Sequence, residues 1–551
     1  AKIRGAVNIE GEITEDIDEE EVIKAVSDLL AEGCKAFAVG GYASVRNPEL
    51  SNRIRSIINQ KFPEVPVVCS HDLCSRLNAV NSLRTAVSNA RLVPVIEELI
   101  LSVKKALADF GIPEKLLVVK GDGSNISSDM ALKCPIETIM SGPAASALGA
   151  VVLSGKKDAF VIDIGGTTTD SAVIKNGEAE ISDEGALVGD WVMNVDCAKI
   201  STTGLGGDSK IDFDRERNII LGPRRSLPLC YICHKYPYLA QRLEKMKNIR
   251  LNSDKNASLL DILVLQNHKL SLSSEEKTVS DALSDGPMFA VDLAQKLGLP
   301  SPEFLHTDRL EEKGIIKRAT LTPTDIMAVE GMFDKWNLNA SSLGLNVFSK
   351  LYGKDEKQTV KDVYREINRR LLKEIILRHL NDKLGKASLS EEDMFFIDKI
   401  LDEDREGLSV RYRLDYPIVG IGAPTDTMIR FLEKYIDAEI INPEYAGVAN
   451  AVGAVSGQVI VKENATIKAG EETNYKIWTR NRQEFASDLE EATEKAVAIL
   501  EKTATEKAVS AGASAPSLRI IAKDRLSTTS DGTQVFIERN IRCEAKGSAV
   551  L

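Results

Sequence analysis

The chain has 551 residues, a formal net charge of −12 and 43% hydrophobic residues. This is enough apolar material for three or four domains of about 100–200 residues each, and the acidic balance argues against a general nucleic-acid surface. No run approaches the roughly 18–20 uninterrupted apolar residues of a membrane helix, and the first residues lack the basic-then-apolar pattern of a secretion signal. Eight scattered cysteines do not make a disulfide framework, which favours a reducing, cytoplasmic setting.

In chain order, Asp18 is placed to cap a helix over residues 19–32, with acidic residues in its first turn and Gly33 just past its end. A strand over 36–39 runs into Gly40-Gly41, read as a strand-to-loop junction. A helix starting near Pro48, a strand over 65–68, a helix over 92–110 and a strand over 116–119 follow. Such alternation means α/β layers. Residues 141–150, Ser-Gly-Pro-Ala-Ala-Ser-Ala-Leu-Gly-Ala, would let two backbones pack closely if they form a helix.

Residues 159–174 carry the most information. Two apolar, β-prone runs are joined by Gly165-Gly166-Thr167-Thr168, with Asp163 before the turn and Asp170 after it. Glycines let successive backbone N–H groups approach an anion, and the threonine hydroxyls add donors. Folding the hairpin brings Asp163 and Asp170 to the turn end, where two carboxylates would repel a phosphate unless a hard cation lay between them, and Mg²⁺ fits that arrangement. In isolation, an ordinary hairpin with a Gly-Gly turn reads the same way.

A second Gly-rich loop follows at residues 204–209, Gly-Leu-Gly-Gly-Asp-Ser. Cys230-Tyr231-Ile232-Cys233-His234 has the spacing of a haem attachment or of half a zinc site; a chance C-x-x-C at a helix start is the simpler reading. Residues 223–407 are rich in charged helical patterns and read as an insertion. Within it, residues 278–320 have the order of a winged helix, three short helices and then a strand. Arg309, Lys313, Lys317 and Arg318 are too few beside Glu311 and Glu312 for a DNA-recognition face. Residues 420–424, Gly-Ile-Gly-Ala-Pro, form a third loop, and 446–454 a second small-residue stretch. Beyond 465, a strand over 474–479, a helix over 485–509, a turn-rich break at 512–516 and strands near 518–522 and 535–539 predict a small α+β appendage.

Taken together, these strings and their order resemble the hydantoinase/oxoprolinase A family, over residues 1 to about 460. The motifs that carry the likeness are SGPAASALGA, DIGGTTTD, TPTD and NPEYAGVANAVGA. The resemblance implies a two-lobed actin-like ATPase (ribonuclease H-like) fold with a mainly helical insertion and the C-terminal appendage. The expected segments are 1–150 for the first lobe with its connecting helix, 151–222 and 408–465 for the second lobe, 223–407 for the insertion and 466–551 for the appendage. It further implies ATP bound between the lobes. Asp163 and Asp170 would organise Mg²⁺; Gly165, Gly166, Thr167 and Thr168 would hold phosphate; Gly206, Gly207 and Asp208 would line the cleft floor; and Gly420, Gly422 and Ala423 would sit against adenine and ribose, although a strand-to-helix turn also accounts for this last loop.

The implied activity is ATP-dependent hydrolysis, in which phosphoryl transfer activates a cyclic amide or related carbonyl substrate and a second enzyme subunit completes the reaction, with neither nucleic acid nor membrane as a partner. An ATP-driven conformational or regulatory module is the alternative. Family members open with an Asp-x-Gly-Gly-Thr hairpin near their N-terminus, a first phosphate loop that is not found there in this sequence. A truncated or cleaved product is therefore expected, binding ATP weakly and hydrolysing it negligibly.

Overall fold

The computed structural model describes residues 1–551 except 75–76, 113–115, 183, 248–256, 267–271, 385–388, 402–409, 471–473, 481–482, 529–533 and 550–551. The chain forms two compact units. One comprises Ala1–Val152, Glu178–Lys199 and Asn450–Leu551; the other comprises Leu153–Gly177 and Ile200–Ala449.

The second unit is built on strands β1 (Ala159–Ile164), β2 (Thr169–Lys175), β3 (Ile200–Thr203), β4 (Ile418–Ile421) and β5 (Ile440–Ile441), which lie side by side in the order β3-β2-β1-β4-β5. The first three form an antiparallel meander, and β4 and β5 run parallel to β1. Strand β1 reads Ala-Phe-Val-Ile-Asp-Ile, apolar on both faces, because the sheet is covered on both sides. Phe160, Ile162 and Ile164 join Val173, Leu205 and Ile418 in a core that continues into the helices of the insertion.

Between β3 and β4 lies the predicted insertion; the boundary expected at 407–408 falls outside the described residues. The winged-helix order holds: helices Ser274–Ala282, Ala290–Lys296 and Asp308–Glu312 precede a strand at Ile316–Thr320. That strand pairs with Ile262–Leu265, and this body has its own core of Val279, Leu283, Leu293 and Leu310. The cations considered for DNA are mostly committed elsewhere. Arg318 is buried, 2.5 Å from Asp261 and also paired with Glu311, while Lys313 and Arg309 reach Glu276 at 2.8 and 3.4 Å. Of the four, Lys317 alone stays exposed outside these ion pairs. Non-specific affinity comes from neutralising several phosphates. A gel shift at low salt is therefore expected to show no binding of duplex DNA by this protein; a salt-sensitive shift that disappears in Lys317→Gln would overturn this reading.

In the first unit, a seven-stranded sheet is packed by the helix Leu489–Ser510, whose Ala492, Ala496, Leu500, Ala504 and Ala508 form one apolar stripe at helical spacing. The boundary expected at 466 is not a boundary here. Strand Val459–Ala469 runs through it, pairs along its length with Gln534–Ala549, and meets Asn125 at Val459. The C-terminal segment thus belongs to the same unit as residues 1–152, joined by pairings more than 300 residues apart in sequence. The expected break at 512–516 is instead the start of a long strand, Ala513–Thr528, with a register irregularity between Ser514 and Ser517. The helix expected at 92–110 begins at Ala79, where Asn78 caps it, and contains Pro94. Phe37–Val39 and Val67–Cys69 pair in parallel, with Gly40 at the strand-to-loop junction. The small residues at 141–150 lie in helix Ser141–Ser154. A Cβ on Gly453 would fall 1.8 Å from the Ala145 carbonyl, so two helices do meet backbone to backbone there.

Candidate functional site

Strand register gathers the predicted loops of the second unit at one end of its sheet. Asp163 is directly opposite Asp170 and Ile164 opposite Thr169; Thr169 is opposite Thr203, and Asp163 opposite Ile421. The segments leaving these positions are the 165–168 turn, the 204–208 loop and the 422–424 loop. A sequence separation of roughly 250 residues is thereby closed by pairing alone.

The first two loops are locked together. Gly207 N–H donates to the Gly165 carbonyl at 3.1 Å, and Asp208 N–H to the Gly166 carbonyl at 2.6 Å. A Cβ on Gly206 would stand 2.6 Å from the Gly166 backbone, so glycine is required for this approach. Gly206 N–H is taken by Ser209 Oγ. The donors of the second loop are thus committed to the fold: Gly206 and Gly207 are buried and buttress the turn, and Asp208, half-buried, is held near Arg225 at 3.4 Å. The turn itself is different. Gly166 and Thr167 are exposed, Thr168 is half-buried, and the N–H groups of these three residues meet no acceptor among the described residues. Successive unpaired N–H groups in a turn make an anion-binding concavity.

The two aspartates are half-buried beneath that turn. Asp170 accepts a 2.6 Å hydrogen bond from Thr202 Oγ1. Burial, reinforced by the like charges of Asp163 and Glu374 and opposed by the Thr202 bond, holds the Asp170 carboxyl above its usual range. Ser171 Oγ, one residue on, donates to Glu374 at 2.9 Å. A cluster of hard oxygen donors whose mutual charge is repulsive fits a divalent cation such as Mg²⁺.

At the third loop the packing itself calls for the glycines. Gly420 is buried within β4, and a Cβ there would strike Ile429, Thr425 and Asn442 at 2.4–2.7 Å. Gly422, at φ +95°, would place a Cβ 2.1 Å from the Ile164 carbonyl and 2.8 Å from Asp163 Oδ1. Both serve the packing of this loop against β1 and its neighbours. Ala423 alone of the three is exposed.

Sequence reasoning assigns no role to several supporting residues. Thr-Pro-Thr-Asp at 322–325 is a capping box at the start of helix Pro323–Val329, a pattern readable from its spacing. Its Thr324 donates to the Gly207 carbonyl through both N–H (2.9 Å) and Oγ1 (2.8 Å), and its Asp325 is fully buried. Thr202 and Glu374 carry no local signal. Cys230 and Cys233 are buried in helix Leu229–Lys235, where burial and Asp325 push both thiols up, Cys233 to about 12. None of the eight cysteines forms a disulfide among the described residues.

A sheet of this order, with paired aspartates under a Gly-Gly-Thr turn, defines the actin-like ATPase fold. The ATP-dependent caprolactamase from Pseudomonas jessenii superposes with a TM-score of 0.59 at 13% identity over 98% of this chain and 69% of that one. Residues 1–62 match the hydantoinase/oxoprolinase N-terminal region, and residues 82–231 match the hydantoinase/oxoprolinase domain. In these two stretches the chain is similar to the hydantoinase/oxoprolinase family. Curated relatives include the acetophenone carboxylase gamma subunit of Aromatoleum aromaticum, 27% identical over 42% of this chain and 33% of its own length. Another is the caprolactamase subunit alpha of Pseudomonas jessenii, 23% identical over 42% of this chain and 34% of its own. These matches therefore span about a third of the relatives' lengths. No helix among the described residues is long and apolar enough to cross a membrane.

Proposed function

We propose that the second unit binds the terminal phosphates of Mg·ATP and that the protein uses ATP to activate a cyclic amide or related carbonyl substrate, in the manner of hydantoinases and oxoprolinases and together with a second subunit. The observation that carries this reading is the Asp163–Asp170 pair facing each other beneath a turn with three unpaired N–H groups. The names of the relatives, an ATP-dependent caprolactamase and a carboxylase subunit, support the substrate class.

In this reading Asp163 and Asp170 hold Mg²⁺, directly or through its waters, and the cation neutralises phosphate charge. The N–H groups of residues 166–168 orient the phosphate. Thr202 fixes the Asp170 carboxylate, and the 204–208 loop, backed by Thr324, keeps the turn rigid. Positioning and charge neutralisation are the main components of phosphoryl transfer, which asks for no nucleophilic side chain.

The test is turnover by the full-length protein. Asp163→Asn and Asp170→Ala are expected to lower ATP hydrolysis by roughly 100-fold or more with unchanged circular dichroism. Turnover at the wild-type rate in both would sink the assignment. The pH dependence gives a second reading. Because the folded pKa of Asp170 is raised, its contribution to stability is present in acid and lost as pH rises through that value. A bound divalent cation compensates the same charge. The thermal upshift caused by Mg²⁺ should therefore grow as pH rises through that window and be smaller in Asp170→Asn.

A further inference from the structure

The first unit contains a cavity of about 790 Å³ that the phosphate-loop site does not use. Among the described residues its wall includes six cationic side chains, Arg46, Lys468, Arg480, Lys523, Arg525 and Arg542, against one carboxylate, Glu538. In a chain of net charge −12 this local excess is unusual in sign. Glu538 is shared: Lys468 reaches it at 3.3 Å and Arg525 at 3.8 Å, and it is also the acidic group acting on Arg46. Arg480 approaches Glu463 only at 3.8 Å, and that carboxylate already takes Lys507 at 2.5 Å. Arg542 Nε donates to the neutral Asn464 at 3.2 Å.

Three wall residues are more than nine-tenths buried and leave a polar nitrogen with no hydrogen-bond partner among the described residues. They are Arg46 (Nε), His71 (Nδ1) and Trp478 (Nε1), at 7%, 2% and 6% exposure. Buried polar groups without partners are rare in folded proteins and call for an explanation. Arg46 lies over the Trp478 ring, its guanidinium carbon 4.6 Å from the centroid, so the wall combines cations with a flat aromatic surface. Ile9, Val45 and Leu77 add an apolar side.

A metal ion does not suit this wall. Cys69, His71 and Asp72 could each bring one ligand atom within 4.8 Å of the others, but Asp72 is ion-paired with Arg55 at 2.5 Å, and the positive charges of Arg55 and Arg480 both act on His71, where they would oppose a bound cation. Positive potential repels a cation and attracts an anion.

We infer that this cavity is a binding site for a small organic carboxylate with a planar or apolar body. The carboxylate would meet Arg480 and Arg542, and the body would lie against Trp478. Arginine suits this task because its planar fork matches a carboxylate with two parallel hydrogen bonds. The inference stands apart from the nucleotide reading, because the residues involved all belong to the first unit and need no ATP.

Benzoate is the probe, with benzamide and inorganic phosphate as comparisons, titrated calorimetrically into the full chain without nucleotide. Benzoate is expected to bind, benzamide not, and phosphate at least about tenfold more weakly, because it lacks the apolar body. In a Trp191→Phe/Trp336→Phe background, benzoate should change the fluorescence of the remaining Trp478. Arg480→Gln/Arg542→Gln should weaken binding by about tenfold or more, since two charge-assisted hydrogen bonds are removed from side chains that are not in the core. Absence of benzoate binding to the folded wild-type chain would overturn the proposal. So would equal affinity for phosphate, or binding that neither alters Trp478 fluorescence nor responds to the double variant.

Discussion

Gly422→Ala should destabilise the second unit by roughly 3–5 kcal/mol, well beyond an ordinary glycine substitution. Two costs coincide at this position. Its φ of +95° lies where an L side chain is strained, at about 1–2 kcal/mol. A Cβ would also overlap the Ile164 carbonyl at 2.1 Å, and this neighbour is backbone at the end of the central strand β1, paired with Thr169 and so not free to turn aside. Gly353 separates the two effects. It ends helix Leu338–Tyr352 at φ +80°, and a methyl group added there would meet nothing within 4 Å, so Gly353→Ala should cost only about 1–2 kcal/mol. Urea unfolding of both variants gives the difference. Since the new methyl at residue 422 would also stand 2.8 Å from Asp163 Oδ1, ATP turnover should fall in Gly422→Ala even where the protein remains folded. Equal midpoints for the two variants would show that the loop does not approach β1 this closely.

How much of the fold and site is legible in the sequence follows from how local each signal is. The 159–174 hairpin is written in contiguous residues, so its strands, turn and opposed aspartates can be read directly. The three helices and strand at 274–320 are legible for the same reason. What the sequence hides is pairing at a distance. Nothing near Val459 indicates that it will meet Asn125, so the sequence suggests an appendage where the chain in fact continues a sheet begun much earlier. The glycines at 420 and 422 are visible, but not that the fold calls for them; Thr425, Ile429 and the Ile164 carbonyl supply that reason. Glu374, which adds a third carboxylate near Asp170, sits in a long helix among many charged residues and has no mark of its own.

The Thr-Pro-Thr-Asp turn carries the second large expectation. Asp325 is fully buried, and its two oxygens accept from Leu229 N–H (3.0 Å), Cys230 N–H (2.8 Å), Ser341 Oγ (2.7 Å), Thr322 N–H (3.0 Å) and Thr322 Oγ1 (3.0 Å). One carboxylate thereby satisfies the first N–H groups of helix Leu229–Lys235, caps helix Pro323–Val329 and ties in helix Leu338–Tyr352. Asp325→Ala leaves all of these donors buried without an acceptor. Each such group costs about 1–3 kcal/mol, and with partial relaxation the total should be roughly 3–5 kcal/mol. Ser341→Ala removes one donor and keeps the acceptor, so about 1 kcal/mol is expected there. A loss below about 1 kcal/mol in Asp325→Ala, measured by urea unfolding, would mean that water replaces the carboxylate and that the turn is not held by it. The effect should also reach the phosphate turn. Thr324, next to Asp325, holds the Gly207 carbonyl by two hydrogen bonds, and Gly207 in turn donates to Gly165. Turnover should therefore fall in Asp325→Ala below the unfolding midpoint, although these hydrogen bonds of the Asp325 side chain reach neither Asp163 nor Asp170. A third substitution, Thr324→Val, separates support from stability: it removes the hydroxyl bond to Gly207 while leaving the Asp325 cap in place, and should lower turnover with a smaller loss of stability than Asp325→Ala.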